Sequence, residues 1–227
     1  MAMMDLYFDL DGTLVDSADG ILASLEAALA AFGLQPAVAL DRGLIGPPLR
    51  QTLQVVAAAA DPGLLDGLVA AFKAHYDRRG CLATRPYPGV VQTLEAWAGQ
   101  GHRMRVVTNK RLAPALAILH ALGLDTRFSG VHTLDETDPP APSKSVLLAR
   151  VAGRSGARLG ELMVGDGPDD GRAAYASGIP FVFAEYGYGR VDDPSIPVAA
   201  RIRSLPELDA LVRGLVPLLG YPGMRPA

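Results

Sequence analysis

A single cysteine, one tryptophan and four histidines stand among the 227 residues, which leaves several kinds of chemistry without a footing. Cys81 alone cannot close an intramolecular disulfide, and nothing in its sequence context activates it as a nucleophile. It reads as a small buried or half-buried residue in a reducing compartment. His102, His120 and His132 lack metal-ligand spacing. Neither charge sign dominates: the net charge is -3, with no basic stripe for nucleic acid and no acidic tail. No segment approaches the roughly 20 continuous apolar residues of a membrane helix. The Ala-rich stretch Leu53–Ala60 stops at Asp61-Pro62. The opening, MAMMDLYFDLDG, has no basic start leading into a long apolar run, so it is not a secretory signal. These absences predict a soluble, cytoplasmic protein with neither nucleic acid nor membrane as partner.

What is present is an apolar share of 49%, enough for a sizeable core. The length suits one domain of about 100–200 residues, or one carrying an insertion. Leu6-Tyr7-Phe8, Arg105-Val106-Val107, Gly130-Val131-His132, Leu162-Met163-Val164 and Pro180–Phe183 read as strands. Between most of them lie helix-length segments, Leu112–Leu122, Val146–Gly153 and Gly171–Ser177. Gly101, Gly123, Gly156 and Gly178 fall where helices should end. That alternation predicts an α/β fold, a Rossmann-like parallel sheet with helices on both faces. One interval breaks it. From Asp16 to about Pro86 there is no strand pattern, only helical pattern. Ser17 is placed to cap a helix reaching about Phe32, with Gly33 as its stop; further helices are expected over Pro48–Ala60 and Leu64–Arg78. Arg85-Pro86-Tyr87-Pro88-Gly89 forms a rigid return. The expected organisation is a core from 1–15 and 87–227, with a helical domain, 16–86, inserted after the first strand.

Ligands of an open parallel sheet bind beyond the carboxyl ends of its strands, and four short motifs fall there. Asp9-Leu10-Asp11-Gly12-Thr13 follows the first strand. Alternate residues of an extended segment face the same way, so Asp9 and Asp11 converge. Their repulsion calls for a cation or a shared proton, and oxygen-only ligands favour a hard ion such as magnesium; a plain Asp/Gly turn is the other reading. Thr108-Asn109-Lys110 leads from a strand end into a helix and suits phosphate oxygens, or else simply caps that helix. Lys144 sits in the first turn of a helix, against the helix dipole, which points to a nearby anion. Gly165-Asp166-Gly167-Pro168-Asp169-Asp170 supplies a second acidic cluster, with Asp170 about one turn beyond Asp166.

The order of these motifs is similar to that of the haloacid dehalogenase superfamily, in its phosphoglycolate-phosphatase-like branch with a helical cap. The matching residues are Phe8–Ser17, Val107-Thr108-Asn109-Lys110, Lys144, and Val164-Gly165-Asp166 with Asp170. The resemblance implies that Asp9 attacks phosphorus to form an aspartyl-phosphate. Asp11 would protonate the leaving oxygen and later activate water. Magnesium would be held by Asp9, Asp11 (through its backbone carbonyl), Asp166 and Asp170, the family pattern favouring Asp170 over Asp169. Thr108, Asn109, Lys110 and Lys144 would face phosphate or substrate. Ile45-Gly46-Pro47-Pro48-Leu49-Arg50 resembles the cap's specificity segment and singles out Arg50 as a substrate contact, ahead of His75, Tyr76, Arg78 and Arg79.

The implied activity is a magnesium-dependent phosphatase acting on a small phosphorylated metabolite, as a monomer or homodimer. Dehalogenation is disfavoured because Asp11 is present. A phosphonate hydrolase would have only Lys73 for its imine. A phosphosugar mutase of the β-phosphoglucomutase type shares all four motifs. A signalling receiver domain and a silent binding protein complete the alternatives.

Overall fold

The computed structural model describes residues 3–59, 61–153 and 160–215. In chain order the first elements are β1 (Asp5–Phe8), β2 (Val15–Asp16), α1 (Ala18–Ala31), α2 (Leu49–Val56), α3 (Pro62–Tyr76) and β3 (Arg85–Pro86). Then come α4 (Val90–Gly99), β4 (Arg103–Thr108), α5 (Leu112–Ala121), β5 (Gly130–Thr133) and α6 (Lys144–Gly153). The last are β6 (Glu161–Gly165), α7 (Pro168–Ala176), β7 (Phe181–Ala184), β8 (Ala200–Ile202) and α8 (Glu207–Leu215).

Six strands form one sheet in the order β5-β4-β1-β6-β7-β8, and every pairing in it is parallel. β1 runs between β4 and β6, with Leu6 level with Met104 and Leu162 and Phe8 level with Val106 and Val164. A strand covered on both faces reads as a continuous apolar run, not an alternating one, which is what Leu6-Tyr7-Phe8 shows.

The pleat divides these residues between two cores. Leu6, Phe8, Met104, Val106, Leu162 and Val164 pack with Leu94 and Trp97 of α4, Leu119 of α5 and Leu208 of α8. Tyr7, Val107 and Met163 pack with Leu147 and Leu148 of α6 and Ala173 and Ala174 of α7. Helices therefore cover both faces. Phe8 is fully buried and stacks on Trp97 at 6.1 Å between ring centroids. Truncation of such a side chain costs about 3–5 kcal/mol.

The segment between β2 and β3 is built from α1, α2 and α3. Its apolar side chains, among them Leu25, Leu29, Leu53, Leu68 and Phe72, belong to the same core as Leu6 and Phe8. The interval expected to lack strands begins and ends in one: Val15 pairs with Pro86 and Asp16 with Arg85, antiparallel. Two residues per strand are too few to carry a period-2 pattern, so this ribbon left no sequence signal.

α1 stops before Gly33, which takes φ +66°. α2 is shorter than expected at both ends, whereas α3 is shifted two residues earlier and begins at Pro62 because Asp61 Oδ2 accepts from the Leu64 N–H at 2.6 Å. α6 and α7 begin at Lys144 and Pro168, earlier than their apolar patterns suggest. Proline at the first helical position explains the second case, since its missing N–H costs nothing there. Besides β2 and β3, three elements went unread: α4, whose Val90-Val91 start disguises a helix, and the short β8 and α8. Ala60, Gly156 and the tail from Val216 lie outside the described residues. No helix among the described residues is long and apolar enough to cross a membrane.

Candidate active site

Three neighbouring strands end at one level of the sheet, and each delivers a polar residue there. Asp9 follows β1, Thr108 closes β4 and Asp166 follows β6. The Asp9 N–H donates to the Val164 carbonyl at 3.0 Å, which prolongs the β1–β6 pairing by one residue. All three side chains are buried. Gly12 then turns the chain with φ +85°, and an added Cβ would lie 2.2 Å from Asp166 Oδ2. Both the conformation and the space require glycine.

Behind Asp9 lies a compact ionic cluster. Carboxylate oxygens of Asp9, Asp166 and Asp170 lie within 4.8 Å of one another. Lys144 Nζ stands 2.9 Å from Asp9 Oδ1 and 2.7 Å from Asp170 Oδ1. This is the anion its place in the first turn of α6 calls for. The second oxygen of Asp170 accepts from the Gly167 N–H at 3.0 Å.

Burial raises the carboxyls of Asp166 and Asp170 above the ordinary range. The charge of Asp9 adds to this, and Lys144 opposes it. For Lys144 burial works against the ammonium, and the charges of Asp170 and Asp9 outweigh it, leaving the lysine more basic than usual. Asp169 is not in the cluster: one oxygen accepts from Asn109 Nδ2 at 3.1 Å and the other faces Arg172.

A hard divalent cation fits this donor set. Three buried carboxylates face one ammonium, and Asp9 Oδ1 is buried without a hydrogen bond despite the nearby Lys144 charge. Only oxygen donors are offered, as magnesium prefers.

Asp11 is held apart from that cluster. Its carboxylate accepts from Ser17 Oγ at 2.6 Å and from Lys110 Nζ at 2.9 and 2.8 Å. Ser17 does stand at the N-cap position of α1, but its hydroxyl makes no cap bond. Asp16 Oδ1 accepts from the Ala18 N–H instead, at 3.2 Å, leaving Ser17 free to orient Asp11. Lys110 Nζ also donates to the Tyr76 hydroxyl at 2.7 Å. Burial disfavours its charge and Asp11 more than restores it, so its pKa is raised.

The run Asn109-Lys110-Arg111 reaches toward the inserted helices with every side chain. Asn109 Nδ2 donates to the Gly46 carbonyl at 3.1 Å, Lys110 meets Tyr76, and Arg111 forks onto both oxygens of Asp77. Asn109 and Lys110, expected at phosphate, thus hold cap-side partners here. Helix capping does not explain them either, because the Leu112 N–H of α5 bonds Asp135 Oδ1 at 2.9 Å. Thr108 keeps its place beside Asp9, its hydroxyl accepting from the Lys110 N–H at 3.2 Å.

Arg50 is not brought to the site. It pairs with Asp66 on the exposed side of the insertion and does not line the cavity. His75 turns to Ser24. Tyr76, a weaker expectation, does line the cavity.

Sequence reasoning missed the loop Tyr186-Gly187-Tyr188-Gly189. The N–H groups of Tyr188 and Gly189 donate to Asp166 Oδ2 at 2.7 and 3.2 Å. The Tyr188 hydroxyl bridges the Ser17 N–H, at 2.7 Å, and Asp16 Oδ1, at 2.8 Å, while Tyr186 donates to the Thr13 carbonyl at 2.7 Å. This loop follows β7, so the strand-end rule that located the other motifs applies to it as well.

Asp9, Asp11, Thr108, Asn109 and Lys110 form the polar floor of a cavity of about 90 Å³ roofed by the inserted helices. Its size suits a small molecule rather than a folded polypeptide.

Residues 6–184 match the family model described as haloacid dehalogenase-like hydrolase. The chain is 35% identical over 193 residues to a phosphoglycolate phosphatase of Mesorhizobium japonicum, covering 81% of this chain and 83% of that one. A solved structure of a predicted phosphoglycolate phosphatase from Haemophilus somnus superposes with a TM-score of 0.81 at 26% identity, over 92% of this chain and 97% of that one. The structure of protein tyrosine kinase A (PtkA) from Mycobacterium tuberculosis is also similar, with a TM-score of 0.77 and 31% identity over 93% and 98% of the two chains.

Proposed function

We propose that this chain, which belongs to the haloacid dehalogenase-like hydrolase family, is a magnesium-dependent phosphatase that cleaves a small phosphomonoester through an aspartyl-phosphate. The observation that carries this reading is the separation of two carboxylates a residue apart. Asp9 stands against Lys144 in the acidic cluster, and Asp11 stands apart between Ser17 and Lys110. One is placed to attack, the other to handle a proton.

The ester's phosphoryl group enters the cavity toward Asp9. An Asp9 oxygen bonds to phosphorus as the phosphorus–alkoxide bond breaks, and Asp11 gives its proton to the departing oxygen. Asp11 then takes a proton from water, whose oxygen attacks the same phosphorus. Inorganic phosphate leaves, and Asp9 is restored. Lys144 and Thr108 stabilise the negative charge that gathers on the phosphoryl oxygens.

Asp9, Asp166 and Asp170, with the backbone carbonyl of Asp11, would hold magnesium, which would neutralise charge on the phosphoryl group when bound. The inserted segment, 16–86, acts as the cap that excludes water and selects the substrate. Its enclosure of the cavity supports a small metabolite, phosphoglycolate being the reference compound that the relatives' names supply.

Phosphate release from a panel of small esters, with and without magnesium and with Asp9→Asn as control, tests the reading. Magnesium-dependent release that Asp9→Asn abolishes is expected. Transfer to a sugar hydroxyl or a protein tyrosine that outruns release to water would instead make the chain a mutase or a kinase.

A further inference from the structure

The phosphoryl end of the cavity is polar, whereas the wall that meets the rest of the ester is not. Ile21, Leu25, Leu44, Ile45, Leu49 and Phe72 face it from the inserted segment, which contributes no charged side chain to the lining among the described residues. Its polar side chains there, Thr52 and Tyr76, are neutral, and Thr52 already donates to the Leu44 carbonyl.

Two cations do reach the lining, Lys110 and Arg111, both from the core. Each is committed to a carboxylate: Lys110 to both oxygens of Asp11 and Arg111 to both oxygens of Asp77. A second anionic group on the substrate would therefore lose its water without gaining a counter-ion, unless it dismantled one of these pairs.

From this we infer that the cavity takes a phosphate monoester whose alcohol is uncharged and presents an apolar face to the cap, and that it discriminates against carboxylate-bearing esters, phosphoglycolate among them. The inference rests on the phosphatase reading above and specifies its substrate class. An apolar pocket separates substrates by apolar contact and by the desolvation of charge. A single methylene is worth about tenfold or more in such a pocket, and an unpaired charge counts for more.

The test compares n-propyl phosphate and n-butyl phosphate with 2-phosphoglycolate on the full chain with magnesium, reading kcat/KM from phosphate release against Asp9→Asn as blank. n-Propyl phosphate is close to phosphoglycolate in size, with an uncharged ethyl group where the carboxylate stands. The alkyl esters are expected to exceed phosphoglycolate by at least about tenfold. Equal or better turnover of phosphoglycolate overturns the inference and leaves the phosphatase reading standing. No release from any of the three overturns both. Leu49→Arg, which places a cation on the half-buried edge of the cap wall, is expected to move the ratio about tenfold toward phosphoglycolate, with Leu49→Met as size control. An unmoved ratio in a folded Leu49→Arg variant also overturns the inference.

Discussion

Lys110 Nζ lies 2.9 Å from one carboxylate oxygen of Asp11 and 2.8 Å from the other, so the proposed acid–base residue has a fixed cationic partner from the neighbouring strand end. Lys110→Met removes the charge and keeps most of the length. A charge-assisted bond of this kind contributes about 1.5–3 kcal/mol. If the partner orients Asp11 for proton transfer, kcat should fall about 10–100-fold. Steady-state kinetics alongside a melting curve separate that loss from unfolding.

Gly12 touches the acidic cluster through the space it leaves open. With φ +85° and a Cβ position 2.2 Å from Asp166 Oδ2, Gly12→Ala must strain the backbone and displace the carboxylate together. The magnesium concentration for half-maximal activity should rise about tenfold or more, the usual scale for disturbing the surroundings of a metal ligand. A magnesium titration of the variant reads this directly.

Tyr188 ties the loop after β7 to the start of the insertion, its hydroxyl serving both Ser17 and Asp16. Tyr188→Phe leaves a buried N–H and a half-buried carboxylate each short of a partner. It should lower stability by about 1–3 kcal/mol, measurable by chemical denaturation. Loss of activity beyond the unfolded fraction would show that the tie also sets the geometry around Ser17 and Asp11.

His102 makes stability fall with acid. The ring is buried, and Nδ1 accepts from the Met4 N–H at 3.1 Å. Protonation would place a second N–H against that donor. Burial accordingly holds its pKa below the ordinary 6.5. Because the folded value lies below the unfolded one, the contribution is complete above about pH 6.5 and is lost as pH falls through the folded pKa. Denaturation midpoints taken from pH 7.5 to pH 5 should drop, and the drop should be smaller in His102→Gln, which keeps an acceptor that cannot be charged.

Much of this architecture was legible because its signals are local. A four-residue apolar strand followed by Asp-x-Asp-Gly needs no distant partner to be read, and positive φ at Gly12 follows from the turn itself. Lys144 was legible by its discord with the α6 dipole, which its neighbours Asp9 and Asp170 resolve.

What escaped the sequence depends on who meets whom across the fold. Arg50 faces Asp66, sixteen residues along the chain, and no pattern in Ile45–Arg50 fixes that choice. Asn109 and Lys110 suit phosphate as polar side chains at a strand end, but nothing local shows the partners they also meet, Gly46 and Tyr76, which the insertion supplies from 63 and 34 residues away. Ser17 has the residue type and position of a helix cap, yet Asp11 claims its hydroxyl. The partners of the Tyr188 hydroxyl lie more than 170 residues earlier.

The central claim is that Asp9 carries the phosphoryl group. It is tested most directly by acid-quenching the enzyme during turnover with magnesium and an accepted ester, then reducing with borohydride and sequencing the peptides by mass spectrometry. An aspartyl-phosphate is reduced to homoserine, so the account requires homoserine at position 9, and its absence in Asp9→Asn. Undiminished phosphate release with Asp9 unreduced at every quench time, or homoserine at a different aspartate, would contradict it.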